Sequence, residues 1–247
     1  MTKKRKTKLF SDADFDKRLS IGDELVFDKP ELTKLRVDLT WSGTDLDICA
    51  FLLDGEGLMN EKADLVYFRS ALRWKPKKEF DDPNFNALEG EFSEWPAQGF
   101  RNPRRWMDAT LPVSADGSVI GSWDDRGNEG VETDEFGYPL GGEQMHILLD
   151  EVDVHKYKKI VLAAAVEKKR VENGETFADA YNPIASIYNA ETNEEIASYR
   201  LDKEFPGKDA VCFGCLEYDE DTFLWNFVPL AEGYKGGMQY LAREVYS

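Results

Sequence analysis

Strict alternation of apolar and polar residues constrains this chain more than any other feature. Leu35, Val37, Leu39 and Trp41 are interleaved with Arg36, Asp38 and Thr40, which gives an extended segment one dry face and one wet face. Leu46 to Leu53 is almost wholly apolar, as expected of a central strand covered on both sides. Further strands are expected at Asp64–Ser70, Met145–Leu149, Lys159–Val166, Ile184–Asn189, Glu195–Leu201, Ala210–Glu217 and Thr222–Pro229. Asn173-Gly174 reads as a turn, because both residues tolerate positive φ. The best helix candidate is Met238–Tyr246, entered through Gly236-Gly237. Many strands with little helical period predict an all-β fold, a two-sheet β-sandwich with a short C-terminal helix.

The length of 247 residues suits one domain, here residues 20–247, preceded by a basic and flexible arm over 1–19. Lys3, Lys4, Arg5, Lys6 and Lys8 lie in that arm, and no apolar segment follows them to make a secretory signal. A long loop insertion is expected at about 73–118. It carries Pro76, Pro83, Pro96, Pro103 and Pro112 with Trp74, Trp95 and Trp106. Loops this long serve binding or are disordered, and the tryptophans favour an ordered lid, docking surface or oligomer contact.

With 31 Lys and Arg against 48 Asp and Glu, the net charge is −17. Such a surface repels nucleic acid and anionic membranes, and it attracts divalent cations wherever carboxylates converge. The apolar run Ile160–Val166 is too short to span a bilayer, so a cytoplasmic protein without direct membrane insertion is expected. Three cysteines, Cys49, Cys212 and Cys215, are too few for a disulfide scaffold. Cys212 and Cys215 form a CxxC inside an expected strand, where positions three apart face opposite ways. They read as core thiols, and with only His146 and His155 as imidazoles zinc is not expected.

Acids gather at two places. Asp45 and Asp47 stand two apart at the start of the central strand and leave it on one face. The loop from Asp124 to Glu135 holds six carboxylates, including Asp125, together with Gly127, Asn128 and Gly130. So many like charges repel one another without a counter-ion, and an all-oxygen donor set suits calcium rather than zinc or copper. The loop is not an EF-hand. Counted from Asp124, position three is Arg126 and position six is Glu129 rather than glycine. The residues alone leave a metal site and a solvated acidic loop both open.

Several motifs, in order, resemble the tellurium-resistance TerD-type domain family. Leu35–Trp41, the Asp45-Leu46-Asp47 triplet and Asp64-Leu65-Val66-Tyr67-Phe68 are similar to its opening strands and D-L-D motif. Asp124 to Gly130, closing on Asp134-Glu135, resembles its acidic glycine-rich segment. Trp225-Asn226-Phe227, followed by Glu232-Gly233-Tyr234 to Leu241, is similar to its C-terminal end. The likeness spans about 20–72 and 118–246.

The resemblance implies a calcium-binding sandwich linked to tellurite and general stress resistance, acting by binding or scaffolding rather than catalysis. It implies calcium ligation by Asp45, Asp47, Asp124, Asp134 and Glu135, with carbonyl contributions from Gly127, Asn128 or Gly130. It also implies protein partners, such as a membrane-associated stress complex or a homo-oligomer. Two other readings stand beside it. One is a structural subunit docking through the insertion. The other is a carbohydrate-binding or glycoside-cleaving protein, since paired acids and tryptophans also suit glycosides.

Overall fold

In the computed structural model the described residues are 6–8, 23–27, 33–70, 72–74, 111–122, 124–125 and 141–247, with 6–8, 23–27, 73–74 and 141 described through their backbone. The chain forms two stacked sheets. Their strands are β1 (Lys6–Lys8), β2 (Asp23–Phe27), β3 (Lys34–Gly43), β4 (Leu46–Leu53), β5 (Leu65–Val66), β6 (Arg73–Trp74) and β7 (Leu111–Pro112). They continue through β8 (Val119–Gly121), β9 (Gly141–Leu148), β10 (Lys159–Val166), β11 (Ala180–Asn189), β12 (Glu195–Arg200), β13 (Ala210–Asp219) and β14 (Leu224–Tyr234). One sheet runs β1-β2-β14-β13-β10-β4-β5 and the other β12-β11-β3-β9-β8, while β6 and β7 form a separate ladder. Every pairing is antiparallel except that of β1 with β2. The expected all-β sandwich is therefore the observed fold.

The alternation seen in the sequence builds the space between the sheets. Leu35, Val37, Leu39 and Trp41 of β3 are fully buried and meet Leu46, Ile48, Ala50 and Leu52 of β4 in one cluster. The opposite face of β4, with Cys49, Phe51 and Leu53, joins a second cluster with Val161, Ala163, Leu241 and Tyr246. The C-terminal segment, a short helix Gly237–Tyr240 running into a π-helical turn Leu241–Val245, thus covers the outer face of the larger sheet. The apolar run of β4 follows from burial on both faces.

Several expectations are revised by this geometry. Asp64–Ser70 supplies only the two-residue β5, because Asp64 closes a 3-10 turn over Lys62–Asp64. Asn173-Gly174 is the turn expected, with Gly174 at φ +87°, but it closes an unforeseen short helix, Lys168–Glu172. Cys212 and Cys215 share one face instead of two, since both lie with Cys49 in the outer cluster. The register of β13 against β14 slips between Cys212 and Gly214, and such a bulge reverses the facing of every later residue. All three thiols are buried and outside any disulfide, as expected of core cysteines.

Within the expected arm, Lys6–Lys8 pairs with Asp23–Leu25. The ends of the expected insertion close on each other as β6 and β7. Residues 111–118 lead directly into β8 through a turn in which Ser114, Ser118 and Asp116 hydrogen-bond one another. Residues 75–110, with Trp95 and Trp106, lie outside the described residues.

Candidate metal centre

The site lies at one end of the sandwich, where β4 begins, β9 begins and β10 ends. Asp47 pairs with Ala165 of β10, and the carbonyl of Asp45 accepts the Glu167 N–H at 2.8 Å. This bond holds the start of β4 against the entry to the helix Lys168–Glu172. Glu167 caps that helix, its carboxylate accepting the N–H groups of Lys169 and Arg170 at 2.7 and 3.3 Å. From the other sheet, β9 directs Met145 and Ile147 into the core, and its two-residue period brings Glu143 onto the same inward face. Glu143 is 1% exposed and Asp47 3%.

Asp47, Asp124 and Glu143 each present a carboxylate oxygen within 4.8 Å of the others. Glu143 accepts the backbone N–H of Ile48 at 2.8 Å and that of Asp125 at 3.3 Å, which ties both walls of the site to one carboxylate. Asp125 does not join the cluster. Its carboxylate accepts the Gly142 N–H at 3.2 Å and so fastens the start of the acidic loop to the start of β9. Asp47 Oδ1 is buried without a hydrogen-bond partner among the described residues. Asp45 lines a cleft beside the cluster together with Asp124.

Burial pushes the Asp47 carboxyl well above the usual carboxylate range; Asp45, Asp124 and Glu167 push it further, and only Arg69 opposes them. Glu143 is likewise raised, first by burial and then by Asp47, against the two backbone N–H groups it accepts. Three carboxylates this close, two of them deeply buried, carry a large electrostatic cost when ionised. A hard divalent cation removes that cost, and an all-carboxylate donor set fits one.

Of the residues expected from the sequence, the structure thus brings Asp47 and Asp124 together, with Asp45 at the rim and Asp125 turned to a structural task. Gly127, Asn128, Gly130, Asp134 and Glu135 lie outside the described residues. Glu143 was not foreseen, although a signal existed. The alternation Met145, Ile147, carried back two residues, puts a carboxylate at a core position. Glu167 follows β10 with no comparable pattern.

The comparisons with known proteins bear on the same segments. A family model described as the TerD domain matches residues 111–245, more than half of the chain. The chain belongs to the TerD domain family. It is 23% identical over 229 residues to general stress protein 16U of Bacillus subtilis (strain 168), covering 90% of this chain and 91% of that protein. It is 25% identical over 231 residues to the tellurium resistance protein TerD of an Alcaligenes species, covering 89% and 92%. A crystal structure of a homologue of telluride resistance protein (TerD) from Streptomyces coelicolor A3(2) superposes with a TM-score of 0.56. That match covers 87% of this chain and 98% of the other at 17% identity, a likeness of fold alone. As a TerD-domain protein, this chain carries Asp124, Glu143 and Glu167 inside the matched segment, while Asp45 and Asp47 precede it. No helix among the described residues is long and apolar enough to cross a membrane.

Proposed function

We propose that this TerD-domain protein binds calcium at the end of the sandwich, with Asp47, Asp124 and Glu143 as ligands and Asp45 beside them. The observation that carries the proposal is the convergence of the three carboxylates within 4.8 Å, with the buried Asp47 Oδ1 unpartnered among the described residues. Bound calcium supplies the positive charge that these acids otherwise lack. Asp47 and Glu143 are positioned by β4 and β9, so they hold the ion against the rigid sandwich, and Asp125 fixes the loop that brings in Asp124. An ion at this point links both sheets and the acidic loop.

The proposed role is that of a non-catalytic binding module in the cytoplasm, serving tellurite or general stress resistance, as the names of its relatives suggest. It works through protein partners, a stress complex or further copies of itself. The glycoside reading is less well supported. Both oxygens of Glu143 are held by backbone N–H groups, which favour its ionised form over the proton donor a glycosidase needs.

The test is thermal unfolding of the EDTA-stripped chain as calcium is added, with magnesium as control. A cation that binds only the folded state stabilises it by mass action, by about 2.7 kcal/mol at a hundredfold excess over Kd. A rise of the melting temperature selective for calcium supports the reading. An unchanged melting temperature, or an equal rise with magnesium, removes it.

A further inference from the structure

Beside the carboxylate cluster a cleft of about 350 Å³ opens between the start of β4, the segment after β5 and the helix Lys168–Glu172. Asp45 and Asp124 form part of its wall, and Arg69, Lys169 and Arg170 form another. Arg170 pairs with Glu175 at 3.4 Å. Arg69 is braced instead by the Phe68 ring, its guanidinium carbon 4.9 Å from the ring centre. Neither Arg69 nor Lys169 makes an ion pair with any described carboxylate, although Asp45, Asp124 and Glu167 line the same cleft. An adjoining cavity of about 180 Å³ shares Phe68, Arg69 and Glu167, and is walled by the apolar groups of Tyr67, Val171 and Met238.

We infer that this double cleft is a binding site for a phosphomonoester with an apolar body, its phosphate held between the bound calcium and the Arg69 and Lys169 side chains. The inference rests on the calcium reading. Calcium takes six to eight oxygens, and a phosphate oxygen is a hard donor of the same kind as those of Asp47, Asp124 and Glu143. Glu143 already spends both of its oxygens on backbone N–H groups. A phosphate can offer one oxygen to the ion and others to a guanidinium and an ammonium, the donors that bind it best. It carries close to two negative charges at neutral pH, which suits two cations and a divalent ion. The volume lies in the range of small-ligand sites. A long polyanion is excluded by the net charge of −17, whereas a single compact anion feels the local field of the cleft.

Calorimetric titration of the full chain with phenyl phosphate, with calcium present and after EDTA, tests this directly. The expected result is saturable binding that needs calcium, weakens about tenfold or more in Arg69→Gln through loss of a charge-assisted hydrogen bond, and is stronger than binding of inorganic phosphate. Lys169→Gln is an independent second probe, and the calcium affinity of each variant is measured alongside, because Arg69 also acts on the Asp47 carboxylate. Flotation with phosphatidylcholine vesicles, with and without phosphatidic acid, separates the two sources of such a group. Calcium-dependent flotation lost in Arg69→Gln assigns a lipid, and phenyl phosphate binding without flotation assigns a soluble ester. If calcium binds and phenyl phosphate does not, or the ester binds equally to the Arg69→Gln/Lys169→Gln variant, the inference falls and the calcium reading stands. If calcium itself fails to bind, both fall.

Discussion

Asp47 and Glu143 face each other across the end of the sandwich, one from each sheet, with their carboxyls raised by burial and by one another. That arrangement has a pH signature in the metal-free protein. A carboxyl whose pKa is higher folded than unfolded binds more protons in the folded state, so it lowers stability as pH rises. The loss begins above the ordinary carboxylate range and ends only above the raised values. In EDTA, Asp47→Asn/Glu143→Gln is therefore expected to gain stability relative to the parent as pH climbs from about 4 toward neutrality. Urea unfolding at a series of pH values measures that difference, and a flat difference contradicts the account. Calcium should reverse the ranking near neutral pH, because its ligands must be ionised to bind. At this scale the sequence showed where acids cluster but not which ones turn inward. Asp125 stood next to Asp124 and looked equivalent, yet its carboxylate holds the Gly142 N–H. Glu143 was hidden by the two glycines before it, which made β9 seem to begin at Met145.

The strands were legible where one face is dry, as in β3, or both faces are, as in β4 and β10, because burial writes its period directly into the residue types. Local irregularities were less legible. Gly214 follows the bulge in β13 and leaves room for a ring: a Cβ there would lie 2.5 Å from Phe227 Cε2, closer than real contacts allow. Nothing in the local pattern announces a ring from the neighbouring strand, so Cys212 and Cys215 could not be given one face from spacing alone. Gly214→Ala is expected to cost about 1–3 kcal/mol through overpacking, with most of the loss restored by adding Phe227→Leu. Chemical unfolding of the two variants checks this, and a silent Gly214→Ala contradicts the close packing of Phe227 on Gly214. The helix Lys168–Glu172 was likewise unseen, since five residues without an apolar stripe leave no periodic trace.

Across the whole molecule, Asp47 and Asp124, which belong to two separate acidic groups in the sequence, meet Glu143 at one end of the sandwich, between the two sheets. The net charge of −17 makes that end costly without a cation, and the TerD-domain relationship places the chain among proteins named for stress and tellurium resistance. The central claim is that the Asp47, Asp124 and Glu143 cluster is a calcium site, and calorimetric titration of the stripped full chain with calcium tests it most directly. The account predicts saturable binding in the parent, abolished or weakened at least about tenfold by Asp47→Asn, as expected when a charged ligand oxygen is lost from a buried site. No binding, or binding left unchanged by both Asp47→Asn and Glu143→Gln, would contradict it.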